Sequence, residues 1–232
     1  MILNFPSLRF LLLTCALSTG CGDSPTSGDS PTSGDSPTST GLPIAEARAL
    51  AKGTQVTVEG YVTVAPGTFV SAMNNEGFAI QDATGGIYVK LAQKLDFGVG
   101  TRVRVTGTLK DEAQLRILES EPASVEKLSG TQKIESRDVT TGGINESTEG
   151  LLVRASGNVT RIFEDDSPYG YKLYFNDGSG EVQIFVHVSA GFEPDRLRAI
   201  TAGQHLQVTG FSTQYKTTYE LAPRQPSDLV VQ

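Results

Sequence analysis

Histidine, cysteine and tryptophan are the scarce residues of this chain: two, two and none in 232. Only His187 and His205 could act as near-neutral bases. Neither has a nucleophile at a readable spacing, and each reads as a surface residue on a strand. His-Glu-x-x-His, Gly-x-Ser-x-Gly and Gly-x-x-x-x-Gly-Lys are all absent, so the common metalloprotease, α/β-hydrolase and P-loop chemistries have no foothold. No enzyme activity, cofactor or metal is expected. No apolar run reaches the roughly 20 residues that a membrane-spanning helix needs. A basic excess is missing too. The net charge is −7, with one excess acid in residues 42–130 and four in residues 131–232. That balance weighs against a nucleic-acid binder, although a local patch can oppose the overall sign.

The two cysteines are Cys15 and Cys21, both near the start. Arg9 precedes the apolar run Phe10–Leu17, and small residues follow up to Cys21. A charged start, a short apolar stretch and a small-residue exit describe a secretory signal peptide over residues 1–20. The small residue before Cys21 resembles the bacterial lipobox, in which the cysteine is acylated and becomes the mature N-terminus. Ser18 stands where that motif usually has leucine, and a plain secretory cut nearby is the rival reading. Cys15 would leave with the leader, so Cys21 has no disulfide partner and acylation explains it better than redox chemistry. Each buried methylene contributes about 0.8 kcal/mol, so two or more acyl chains would anchor the protein. The expected location is the bacterial cell envelope, at its periplasmic or cell-surface face. Gly-Asp-Ser-Pro-Thr-Ser then repeats three times, and residues 21–41 read as a disordered tether spanning very roughly 25 Å.

The remainder contains one pattern twice. Val56–Thr63, Gly77–Val89 and Gly100–Gly107 form the first copy; Leu152–Thr160, Tyr171–Val186 and Gly203–Gly210 form the second. In each, a glycine falls late in the first strand (Gly60, Gly157), Asp-x-x-Gly turns a hairpin (Asp82, Asp177), and a Gly-x-x-Val/Leu-x-Val-Thr-Gly strand follows. Such self-similarity marks two copies of one unit. Apolar residues alternate at period two, as in Val56-Val58-Gly60-Val62 and Val103-Val105, and so predict half-buried antiparallel strands. In the second unit the strands are expected near 151–160, 171–177, 181–188, 204–211 and 218–222. Helical signals are confined to Ile44–Ala51 and to Phe192–Ile200, where Pro194 can open a short helix. Five strands with a helix between the third and fourth is the layout of the OB-fold. The fold class is therefore all-β: two tandem five-stranded Greek-key OB-fold barrels, each with one short helix, over residues 42–130 and 131–232.

The segment Phe78–Val89 with Gly100–Gly107 resembles the OB-fold domains of secreted bacterial nucleases and of bacterial surface lipoproteins. Tyr219–Asp228 is similar to their closing segment. The likeness runs over most of residues 42–232 but lies in turn and barrel residues, so it implies fold rather than activity. In the nucleases a separate catalytic domain accompanies this one, and no such domain is found here.

OB-folds that hold ligands use the outer surface of strands two and three with the loops after strands one and four. In the second unit the outward residues are then Arg154, Asn158, Lys172, Tyr174, Gln183, Phe185 and His187, with Tyr169 and Tyr171 in the adjoining loop. Rings beside cations suit single-stranded nucleic acid, since bases stack while cations meet phosphate. Sugars stack on rings too, so an oligosaccharide fits the same face. The bland alternative is that Phe185 and Tyr174 pair across strands or pack against the first unit. The first unit offers Tyr61, Gln81, Tyr88 and Lys90 around Glu59, a poorer anion site. Asn176–Glu181 has the look of a calcium loop but lacks its third-position acid and distal glutamate, so a hairpin turn is expected. Glu164-Asp165-Asp166 reads as a solvated loop or a weak divalent site. An envelope protein remains a second candidate partner, met through an edge strand.

Overall fold

The computed structural model describes residues 41–232. The leader, Cys21 and the tether up to residue 40 lie outside the described residues. All the described residues fall in one compact unit, built as two closed barrels. In the first, the strands are β1 (Gln55–Val64), β2 (Phe78–Gln81), β3 (Gly86–Lys90), β4 (Thr101–Glu112) and β5 (Leu115–Glu119). Their order is β1-β2-β3-β5-β4, and β4 closes back on β1. β6 (Val125–Thr131) extends β4, and β7 (Arg137–Asp138) pairs with the second barrel. There β8 (Leu152–Val159), β10 (Gly170–Asn176), β11 (Val182–His187), β13 (Thr218–Ala222) and β12 (His205–Tyr215) close in the same order. β9 (Glu164–Asp166) pairs with β10, and β14 (Leu229–Val231) with β12. All pairs within the two rings are antiparallel except β3–β5 and β11–β13. This is the all-β tandem OB architecture that the period-two pattern predicts.

The alternation puts Val58, Val62, Ile80, Ile87, Val89, Val103 and Val105 inside the first barrel, and Val153, Leu173, Phe175, Ile184, Val208 and Leu221 inside the second. Each barrel end receives a helix, at the two segments where the sequence shows a helical signal, but in the first barrel that segment is not the one between the third and fourth strands. Between β3 and β4 of the first barrel there is no helix. Instead α1 (Ile44–Ala49) precedes β1 and inserts Ile44 and Ala47 into that core. A four-residue α2 (Val70–Met73) follows β1. In the second barrel α3 (Pro194–Arg198), with Pro194 at its first turn, delivers Leu197 to the core from between β11 and β12.

The repeated aspartates perform one task twice. Asp82 accepts from Thr84 and Gly85 within its turn and from the Ile44 amide at 2.8 Å. Asp177 accepts from Ser179 within its turn and from the Thr141 amide at 3.0 Å and hydroxyl at 2.7 Å. Each turn thus holds the chain segment that enters its own barrel. The Asp177 carboxyl is held well below the usual range by hydrogen bonds from Ser179 and Thr141. The first-strand glycines answer to close approach: a Cβ on Gly60 would sit 2.9 Å from the Gln81 carbonyl oxygen, and one on Gly157 2.8 Å from the Asn176 backbone.

A third apolar cluster joins the barrels. Val64, Phe69, Ala79, Tyr88, Leu115 and Ile117 of the first meet Phe211 and Ala222 of the second. Burial of each large side chain contributes about 1.5–3 kcal/mol. Around this seam Arg48 pairs with Glu149 at 2.7 Å, and Arg224 donates to the Thr63 carbonyl at 2.9 Å. Gly86 and Gly150 touch so closely that a Cβ on Gly86 would lie 1.9 Å from the Gly150 carbonyl oxygen.

Candidate functional site

Tyr171, Leu173 and Phe175 of β10 and Val182, Ile184 and Val186 of β11 point into the second core. The alternation therefore turns Lys172 and Tyr174, with Gln183, Phe185 and His187, to the outer face, where Lys172 lies opposite Phe185 and Tyr174 opposite Gln183. The face is real, but it is divided.

Its inner half lies under the first barrel. His187 is only 4% exposed and Phe185 7%, so neither can meet a ligand from solvent. The His187 ring stacks on Phe69 at 4.4 Å, and Phe185 approaches it edge-on at 5.0 Å. The expectation that these two rings line a ligand surface is corrected: both are buried, and His187 meets the first barrel through Phe69. Burial pushes the His187 imidazole down to about 3, so it is neutral and not a surface base. Gln183 is buried as well, donating to Glu220 at 2.7 Å. Burial pushes the Glu220 carboxyl up to about 7, against the opposing pull of Lys172. Tyr171 belongs to the core, stacked on Phe163. In the first barrel Tyr88 is sealed in the seam, its hydroxyl donating to Asn75 at 2.8 Å.

The outer half is open and polar. Glu164-Asp165-Asp166 is not a loop but strand β9, with Glu164 opposite Lys172 and Asp166 opposite Gly170. Lys172 pairs with Asp166 at 2.9 Å, and the Tyr174 hydroxyl donates to Glu164 at 3.2 Å. The hydrogen bond from Lys172 to Asp166 raises the ammonium above its ordinary value. Arg161 lays its guanidinium 4.3 Å above the Tyr174 ring while pairing with Glu181. Such a cation–π contact is worth about 0.5–1 kcal/mol where exposed. Tyr169, 54% exposed, stands at the rim. Arg161 escaped the sequence reading, and the β9 carboxylates read there only as a loop or weak divalent site, because loop residues carry no period to fix their direction.

The other two expected residues stand elsewhere. β8 meets β10 only at Val159 and Asn158, so Arg154, further up that strand and opposite Thr209, is remote from Lys172. Arg154 is bound by two hydrogen bonds to Asp138, at 2.6 and 2.8 Å. Asn158 meets His205 Nδ1 at 2.8 Å. Thus Lys172 and Tyr174 come together with Arg161, above a buried Gln183–Glu220 pair. Among the described residues no group of three or more His, Cys, Asp or Glu side chains is placed to hold a metal ion.

No family model matches the chain, and no curated protein does. Solved structures that it matches include a murine DNA-binding protein bound with double-stranded DNA: 13% identity, 76% of this chain and 94% of that one, TM-score 0.39. The HINb domain of p204 matches at 13% identity over 79% of this chain and 99% of its own, TM-score 0.39. The HINa domain of Ifi202, in complex with a 20-base-pair double-stranded DNA, matches at 13% over 79% and 97%, TM-score 0.37. These neighbours are not the secreted bacterial nucleases or bacterial surface lipoproteins expected from the sequence.

Proposed function

We propose that this chain is a non-enzymatic binding module, exported and held at a membrane by acylation of Cys21, that takes single-stranded nucleic acid along the open half of the second barrel's face. The observation that carries the reading is the stack of Arg161 on Tyr174, 4.3 Å apart, with Lys172 on the same strand as Tyr174. A base stacked on an aromatic ring contributes about 1–3 kcal/mol, and a neighbouring cation can meet its phosphate. Both cations already hold carboxylates, so phosphate has to displace Asp166 or Glu181. Affinity is therefore expected to be modest and steep in salt, with a slope set by about two phosphates. Fluorescence-anisotropy titration with labelled oligothymidine at low and high salt tests this. Tyr174→Ala and Lys172→Ala should each weaken binding about tenfold; no binding at low salt removes the reading. Acylation is tested separately, since Cys21→Ala should move the protein from the membrane to the soluble fraction.

One observation favours a second reading, an adaptor for another envelope protein. Among the described residues β9 pairs with β10 alone, which leaves an acidic strand edge for strand addition. On that reading oligothymidine stays free at any salt, and pull-downs recover one specific protein that a proline at Asp165 releases.

A further inference from the structure

A cavity of about 540 Å³ opens on the second barrel between the α3 segment and β14. Phe192, Leu197 and Ile200 form one wall, and Leu229, Val230 and Val231 of β14 form the other. Its floor is the core itself, to which Leu197 and Ile200 belong and against which Phe192 and Leu229 pack. Val230 and Val231 are each 45% exposed, so the β14 wall meets solvent. The volume falls in the range of roughly 300–1,000 Å³ typical of ligand sites. We propose that this groove docks the C-terminal tail of a partner protein, added as an extended strand to the edge of β14 with its carboxylate on Arg196.

Three observations carry the assignment. The first is an open strand edge, separate from that of β9. Among the described residues β14 pairs with β12 alone. The Gln232 amide donates to the His205 carbonyl at 2.9 Å, and Val230 lies opposite Gln207. Bonded and non-bonded residues alternate along an antiparallel ladder, so Val230 and Gln232 both face β12. The N–H and C=O of Val231 therefore point outward, available to an incoming strand. The second observation is the groove beside that edge. An added strand turns every other side chain to one face, and the apolar walls give those side chains a place.

Charge is the third. Only Glu193 and Arg196 bring charge to the groove. Arg196 pairs with no carboxylate among the described residues, whereas every other arginine there except Arg137 holds one. Arg198, two positions on and so turned to another side of the helix, holds Asp195 and reaches Asp165 at 3.6 Å. The Arg196 fork is thus left for a carboxylate, which it can bind through two hydrogen bonds. The β14 edge is only three residues long. It suits a chain end, which brings its own carboxylate, better than a strand running through. Glu193 stands at the N-cap of α3 without making a capping bond, and it suits a basic residue further up the tail.

The test presents the full chain with a displayed library of random short peptides that have free C-termini. Selection should enrich apolar residues at the last position and two before it. A synthetic copy of the enriched peptide should bind saturably, shift the amides of Leu229, Val231 and Ile200, and slow hydrogen exchange at Val231. Amidation of its C-terminus and Arg196→Gln should each weaken binding about tenfold. Val231→Pro should abolish binding and leave Tm nearly unchanged, because the amide it removes faces outward and an edge strand tolerates proline there. No enrichment, equal affinity for the amidated peptide, or unaltered binding by Val231→Pro overturns the proposal. Dodecylphosphocholine below its micelle concentration should leave these amides in place; if it moves them and the peptide does not, the groove takes a lipid chain and the proposal fails. It fails too if gel filtration finds a dimer that Val231→Pro dissociates, since the occupant is then a second copy. Arg196→Gln should not alter oligothymidine affinity, so this result stands or falls apart from the nucleic-acid reading.

Discussion

Asp177 is exposed, yet four hydrogen-bond donors converge on it from Thr141 and Ser179. Asp177→Ala should loosen the segment entering the second barrel and cost about 1–2 kcal/mol in urea unfolding, as loss of a well-made cap does. Asp177→Asn should recover part of that, because one amide oxygen can still accept. Phe185 and Tyr174 make a second contrast, since both stood as ligand-facing rings. The Phe185 ring folds over Gly170, where a Cβ would lie 2.7 Å from it. Gly170→Ala should therefore destabilise by about 1–3 kcal/mol, and Phe185→Ala by about 3–5. Tyr174→Ala leaves the core intact and should cost under about 1 kcal/mol while acting on ligand affinity. Equal losses of stability at Phe185 and Tyr174 would contradict the division of the face.

The strands and their facing were legible because a half-buried strand writes itself as period-two alternation, and a turn writes itself as Asp and Gly. β8, β10, β11 and β13 fall within a few residues of the expected spans and β12 runs longer, whereas β9 stands where a loop was expected; α3 begins at Pro194 as its first-turn proline requires. What covers an outward face was not legible. Tyr88 and Phe211 occupy outward positions identical in pattern to solvated ones, and only the meeting of the barrels buries them. For the same reason Phe185 and His187 read as a binding surface. The segment between β1 and β2 supplies their lid: Phe69 stacks on His187, and Ser71 Oγ donates to the Tyr169 carbonyl at 2.8 Å. Such a segment has no periodicity to declare its partner. Phe69→Ala should uncover the imidazole, so that proton NMR finds His187 titrating close to 6.5 instead of near 3. A histidine still silent above pH 4 in that variant would mean that Phe69 is not its cover.

Both barrels sit in one compact unit, so they should unfold in one cooperative transition, and two buried groups give that transition an unusual pH dependence. His187 titrates at about 3 in the fold against 6.5 when free. Between those values the unfolded chain binds more protons, so this group makes stability rise with pH. Glu220 titrates at about 7 in the fold against an ordinary 4.5. Between those values the folded chain binds more protons, so this group's contribution is full below 4.5 and is lost as pH rises through 7. Each slope reaches up to about 1.4 kcal/mol per pH unit. They oppose one another wherever the windows overlap, from 4.5 to 6.5, and the native protein should show an almost flat stability there. Single replacements break the balance in opposite senses. His187→Phe, which keeps a ring against Phe69, leaves Glu220 alone, so stability should fall as pH rises across that window. Glu220→Gln leaves His187 alone, so stability should rise. Urea unfolding of the three proteins at several pH values measures all three slopes, and slopes of the same sign in the two variants would mean that the groups are not buried as described. Gly86→Ala tests the seam's part in the His187 slope, because it drives a Cβ into the Gly150 carbonyl and wedges the barrels apart. With the seam opened, His187 loses its Phe69 cover and returns to water, its slope vanishes while that of Glu220 persists, and the single transition should split into two.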